Sequence, residues 1–593
     1  MSRWALLLVL GACGSSSSAG TTALFDPAGD DFYALPFPND LRRHGDGSLD
    51  LSGLPAKTPI VEKYRAAAET LDGFGLNQTV YARFSGPLDA ASLPDPAGSL
   101  QPGASVYLVN LATSVRVPVI VHTLADARGT IGPNSLSARP FPGYSLDEGA
   151  TYALVITSRV HDAAGEPVGA ADTFAPGDKL TAWLADHPDD VVSAAVFTTQ
   201  HATQIVPALR RGVMGTPAPV AAGVQIVKNT VFELVTGMYD APNFQSGDVP
   251  YSNGGGNFVI GPDGAAVVQR TEHLRFAMTT PLTPMPATGW PIVLYQHGTG
   301  GDWQSFIDDG TAQRLVNQGL AVISMDQVLH GPRNPGGDPS VDFFNVGNPL
   351  AVRDNIMQGT ADAFSQLRLV QGMAIPDGTD TIKIDPTKVY FFGHSQGSET
   401  GPGFVAFEPT LAGAVLSGCS GLVYMAVLYK TSPDIASAVE ALIRDEPYNE
   451  DTPTLAILQM WMEHSDPVNY ARLMVREPVA GNAPRNIFQS EGFVDTYAPN
   501  LGIEAFATAI GGDLVKTADE KDVPGIDLRG RAVLAPPITD NLDGVTAVLA
   551  QYKQKAGSDG HFVVFDIAAA QQQSSQFLGS LARTGHATVV APQ

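Results

Sequence analysis

The chain has 593 residues, of which 44% are apolar and 16% charged, a length that predicts about three to four domains, or fewer if one is a large α/β unit. Its 35 basic against 60 acidic residues leave a net charge of −25, which repels phosphate backbones and argues against nucleic acid or a polybasic membrane patch. Two cysteines, Cys13 and Cys419, exclude a disulfide framework and a CxxC metal site.

The first twenty residues, MSRWALLLVLGACGSSSSAG, carry a basic Arg3 and then an apolar run from Trp4 to Leu10. That run falls well short of the roughly 20 residues needed to cross a bilayer. Leu10-Gly11-Ala12-Cys13 resembles a bacterial lipobox, which implies acylation of Cys13, export and anchoring at the cell envelope, with residues 1–24 as signal and serine-rich tether. A plain cleaved secretory signal is the alternative.

Residues 25–215 alternate β-like runs with turn clusters ("TVYARFS", "SVYLVNL", "RVPVIVHTL", "TYALVITSRV"), the spacing of a sandwich. They resemble the Ig-like modules that precede some exported bacterial hydrolases, and the expectation is an all-β module. The helical stretches "GDKLTAWLAD" and "ATQIVPALRRGVMG" fit that module poorly. "TPAPVAAG", Thr216 to Gly223, reads as a linker. From 224 to 593 buried strands alternate with amphipathic helices, predicting an α/β domain whose mostly parallel sheet is covered on both faces.

Within it, "YFFGHSQGSE" places Gly393-x-Ser395-x-Gly397 between an apolar strand and a helix start, the context of a nucleophile elbow. A serine nucleophile needs a histidine base and a carboxylate to orient it. Three histidines follow: His464, His561 and His586. His561, in "GSDGHFVVFD" after an apolar run, is the candidate base; His464 comes too early and His586 lies beyond the last helix. Asp495, after the strand and glycine turn of "NIFQSEGFVD", is the candidate acid, with Glu491 and Asp466 as rivals. "YQHGTGG" follows another apolar strand, and the backbone N–H groups of Thr299 and Gln396 are the candidate oxyanion donors.

Taken in order, "HGTGG", "GHSQG", "GFVD" and "DGHF" resemble an α/β-hydrolase of the exported bacterial lipase and esterase group sometimes labelled virulence-factor lipases. The resemblance implies a serine ester hydrolase (lipase, esterase or lysophospholipase) that acts on a small-molecule or lipid ester through an acyl-enzyme and needs no cofactor or metal. An inactive binding or adhesion lipoprotein, or a serine peptidase or polyester depolymerase, is the alternative. One segment departs from the pattern, an insertion at about 420–485 with helical runs such as "LAILQMWMEH". Met460, Trp461 and Met462 either line an acyl site there or pack the helices together. Asp326 and His330 in "MDQVLHGPR" stand near the expected rim, where a structural hydrogen-bonding role is expected.

Overall fold

A computed structural model of the chain describes residues 20–124, 130–443 and 446–592. The lipobox-like segment with Cys13 lies outside the described residues.

The central element is a twelve-stranded mixed sheet, eleven strands in one row and Ala374–Asp377 paired antiparallel with Asp380–His394. From one edge, Val533–Leu534, Asp513–Val515, Ala547–Tyr552, Asn486–Gly492, Leu411–Ser417, Asp380–His394, Trp290–Gln296 and Ala321–Met325 run parallel to one another. Arg270–Thr280, Glu233–Asn243 and Ala222–Lys228 then continue the sheet in antiparallel pairing. The last of these strands begins inside the expected linker. Strands such as Trp290–Gln296, Ala321–Met325 and Leu411–Ser417 are largely apolar because both faces are buried, and alternate residues feed two cores. Ile292 and Leu294 join one core, whereas Val293 and Tyr295 join the other. The long helix Pro349–Gln371, started by Asn348 accepting from the amides of Leu350 and Ala351, packs with Gln396–Phe407 on the first face. Helix Ala568–Thr584 covers the second through Phe577, Leu578 and Leu581. Parallel strands all end at one edge, so the loops after Gln296, His394, Ser417, Gly492 and Tyr552 converge there.

The N-terminal part contains a three-stranded and a four-stranded antiparallel sheet. In Val106–Asn110, Val106 and Leu108 point into the core shared with the three-stranded sheet. Tyr107 and Val109 point the other way, onto Leu180 and Trp183 of helix Gly177–Asp186. Helix Pro59–Ala68 packs on Pro453–Met462 and Pro349–Gln371, and helix Ile205–Met214 on Pro349–Gln371 and Gln396–Phe407. The part is therefore a helix-bearing pair of sheets and not the all-β module expected, because the outward rows of its strands are apolar and need covering.

The insertion folds as helices Val423–Tyr429, Ala436–Leu442, Pro453–Met462 and Pro467–Met474. Met460 and Trp461 are fully buried, and the Trp461 indole donates to Pro349 O at 2.7 Å while Arg353 lies over its ring. These two side chains are core, not acyl-site lining. The insertion is also clamped to the N-terminal sheets. Asp451 accepts from Arg139 at 2.6 Å and Ser137 at 2.9 Å and pairs with His122 at 2.7 Å. Glu463 accepts from the amide and side chain of Asn77 at 2.8 and 2.7 Å, and burial pushes its carboxyl up to about 8.

Removing one partner of a buried ion pair leaves the other charge uncompensated. Asp451→Ala, which strands the buried Arg139 guanidinium, is therefore expected to cost about 3 to 5 kcal/mol in urea or thermal melts. A loss below about 1 kcal/mol would show that the clamp contributes only a surface-type contact.

Candidate active site

Ser395 sits between the end of its strand and helix Gln396–Phe407 with φ 53° and ψ −124°. A non-glycine residue in that region is strained by about 1 to 3 kcal/mol, and the surroundings must impose it. They do so by close backbone approach. A Cβ on Gly393 would stand 2.6 Å from Gly397 O, and one on Gly397 would run into Gln296 O. The Ser395 amide donates to Ser417 O at 2.9 Å, and its carbonyl accepts from the amides of Ser398 and Glu399 as the helix begins. The side chain is left half-buried and facing a cavity of about 460 Å3 that His561 and Thr299 also line.

His561 lies on the short turn Gly560–Phe562, where Asp559 accepts its amide at 2.9 Å. Asp559 also takes the amide and hydroxyl of Thr496, tying the histidine loop to the loop of Asp495. His561 Nδ1 donates to Asp495 Oδ2 at 2.8 Å, both side chains being nearly inaccessible. Asp495 Oδ1 accepts the amides of Tyr497 and Ala498 at 2.9 and 2.8 Å, so the carboxylate is held from both sides. With the Nδ1 proton committed to Asp495, Nε2 is the ring position able to take a proton. Tyr497 stacks on the imidazole at 4.9 Å. Gly418, at φ +61°, lies so close that an added Cβ would stand 2.9 Å from His561 Cε1.

The rival residues are placed elsewhere. Glu491 is buried behind the acid loop, accepting from Asn500 at 2.6 Å and Gln551 at 2.9 Å, and burial pushes its carboxyl up to about 8. Asn500 in turn accepts the Asp495 amide, so Glu491 braces the loop from below. Asp466 caps helix Pro467–Met474 and accepts four hydrogen bonds, from Leu422, Val423, Val468 and Gln459. Desolvation drives half-buried His464 down to about 3, and exposed His586 pairs with Asp540 at 2.8 Å.

The HGTGG loop is stitched on two sides. Thr299 Oγ1 donates to the Gln396 side chain at 2.8 Å, joining the two segments whose amides are the candidate oxyanion donors. An added Cβ on Gly298 would lie 3.0 Å from Ser395 Cβ, which measures how tightly this loop abuts the serine. The Gly300 amide donates to His330 Nε2 at 3.0 Å, while His330 Nδ1 donates to Val328 O at 2.9 Å. His297 Nε2 accepts the Gln327 amide at 3.2 Å. Burial lowers His297 to about 4 and His330 to about 3, so both stay neutral and keep the acceptor these contacts need. Asp326 takes both arms of Arg275 at 2.7 and 2.8 Å. The structural role expected of Asp326 and His330 is the one they have.

Several contributors were not legible as site residues. His394, next to the serine, packs its ring 4.7 Å from that of His561 and is kept neutral by burial. Lys430 and Phe344 reach the cavity from the insertion and from the loop after Ala321–Met325, with no motif to mark them. Among the described residues, no group of three or more His, Cys, Asp or Glu side chains is arranged to hold a metal ion, and no helix is long and apolar enough to cross a membrane.

No protein-family model matches the chain, and none of the curated proteins is significantly similar to it. Among solved structures, it overlaps acetyl xylan esterase 1 from Thermoanaerobacterium sp. JW/SL YS485 at 13% identity and a TM-score of 0.34, covering 60% of this chain and 89% of that one. The peroxisomal alpha-beta-hydrolase Lpx1 of Saccharomyces cerevisiae overlaps at 11% identity and a TM-score of 0.32, covering 60% and 91%. A lipase in its open form overlaps at 14% identity and a TM-score of 0.30, covering 55% and 97%. Overlaps this partial lend nothing to the chemistry of this chain, which rests on its own strand order and side chains.

Proposed function

We propose that this protein is a serine ester hydrolase. The observation that carries the reading is the strained serine on its strand-to-helix turn, facing the same cavity as a histidine whose far nitrogen is fixed on a buried carboxylate. In the proposed reaction Ser395 Oγ attacks the acyl carbon while His561 Nε2 takes its proton, then returns that proton to the leaving alcohol. Water, deprotonated by the same nitrogen, releases the acid and restores the serine. Asp495 holds the imidazole in the required tautomer and stabilises its charged form. The amides of Thr299 and Gln396 donate to the carbonyl oxygen as it gains charge, an effect worth about 3 to 4 kcal/mol per donor in well-formed holes. Carboxylic esters are favoured as substrates because the cavity combines aromatic walls, Phe344, Tyr497, Phe562 and Phe565, with these polar groups at one side.

Turnover of p-nitrophenyl acetate and butanoate tests the assignment. Ser395→Ala and His561→Ala are expected to lose several decades in kcat with near-native melting, and Asp495→Asn about four decades through the wrong tautomer. Retention of activity within tenfold in either alanine variant contradicts the triad.

A companion proposal concerns residues 1–24: acylation at Cys13 tethers the enzyme to the cell envelope, supported by the sequence Leu10-Gly11-Ala12-Cys13. Since stable attachment takes more than one acyl chain, Cys13→Ser is expected to move the protein entirely out of the detergent phase in phase partitioning. Unchanged partitioning contradicts lipidation.

A further inference from the structure

Beside the main cavity lies a second, smaller chamber of about 80 Å3, and Phe344, Tyr497 and Lys430 line both. These three residues belong to the walls of both cavities. Most of the chamber wall is aliphatic, with Val346, Val352, Ile356, Leu422, Val427 and Met462 among its residues. Its volume admits only a short aliphatic segment, a small fraction of what the main cavity holds.

Besides Ser420, Ser465 and Tyr497, the polar part of this wall is a pair of ionisable groups. Glu399, one turn into the helix that starts at the nucleophile, lines the chamber, and Lys430 lines both cavities with its ammonium 4.8 Å from the centre of the Phe344 ring. Neither side chain makes a hydrogen bond or an ion pair within 4 Å among the described residues. Burial pushes the Glu399 carboxyl up to about 7, opposed by the nearby Lys430 and His561 and reinforced by Asp466 and Asp495; burial likewise lowers Lys430. Both residues are half-buried, so their polar ends open onto the cavities, where a ligand can supply hydrogen bonds in place of solvent.

We infer that this chamber receives the acyl part of the substrate and selects a short aliphatic acyl group bearing a hydroxyl, which donates to Glu399 and accepts from Lys430. A hydroxyl suits the pair because it is neutral and both donates and accepts. A carboxylate there faces Glu399 and an ammonium faces Lys430, each at a like-charge cost. This selectivity rests on the ester-hydrolase reading and adds a substrate class to it.

The test compares methyl 3-hydroxybutanoate with methyl butanoate and methyl octanoate, by base uptake at constant pH, on the full-length enzyme. The expected kcat/KM for the hydroxylated ester exceeds that for the plain C4 ester by tenfold or more, and the octanoate is the poorest of the three. Glu399→Leu and Lys430→Met are each expected to bring the hydroxyl-to-plain ratio down towards one, while Glu399→Gln keeps part of it. A wild-type ratio near or below one overturns the inference even if either variant fails to fold, and so does a preference for octanoate. Hydrolysis of plain esters without hydroxyl preference leaves the hydrolase reading standing. Inertness to every ester, together with failure of a fluorophosphonate to label the protein, removes both.

Discussion

The site depends on how closely one turn of backbone is pressed against its neighbours. Gly393 and Gly397 permit the strand end, the helix start and Gln296 to approach within a distance that any Cβ would prevent. That approach leaves Ser395 the only residue between them, in a conformation a free chain would rarely adopt. The strain is local, but the parallel sheet and its two covering layers maintain it, and core packing at this density deforms little. The placement of the serine against the cavity is therefore a property of the whole sheet and not of a five-residue motif.

The other groups are fixed by loops that hold one another. Asp559 joins the histidine loop to the acid loop, Asn500 joins the acid loop to Glu491, and Thr299 joins the glycine-rich loop to Gln396. Buried neutral histidines do the same work beneath the HGTGG loop, where a charged imidazole would lose the acceptor that Gly300 needs. On the far side, the insertion is anchored through Asp451 and Glu463 to the N-terminal sheets. Those contacts flank helix Pro453–Met462, whose last residue, Met462, lines the small chamber.

Much of this was legible because it depends on local pattern. The apolar strand, the glycine spacing around Ser395 and the strand-turn positions of Asp495 and His561 are written in consecutive residues. The order in which the serine, acid and histidine loops leave the sheet follows from the alternation of strands and helices. What escaped depends on contacts between residues far apart in the chain. Whether Met460 and Trp461 line a cavity or fill a core is undetermined by helical periodicity, since both uses require an apolar face; Pro349, Arg353 and the N-terminal sheets decide it. The all-β expectation failed for a related reason, because alternation reveals strands but not which face a distant helix will cover. Glu399 and Lys430 are 31 positions apart and belong to no motif, so only the fold puts them at one chamber.

The central claim is that one serine, and no other side chain, is the nucleophile. Intact mass spectrometry after reaction with a fluorophosphonate, followed by peptide mapping, tests this directly. The account predicts a single adduct per chain, carried by the peptide containing Ser395 and abolished by prior unfolding. A stable adduct on any other residue, or no adduct on folded protein, contradicts it.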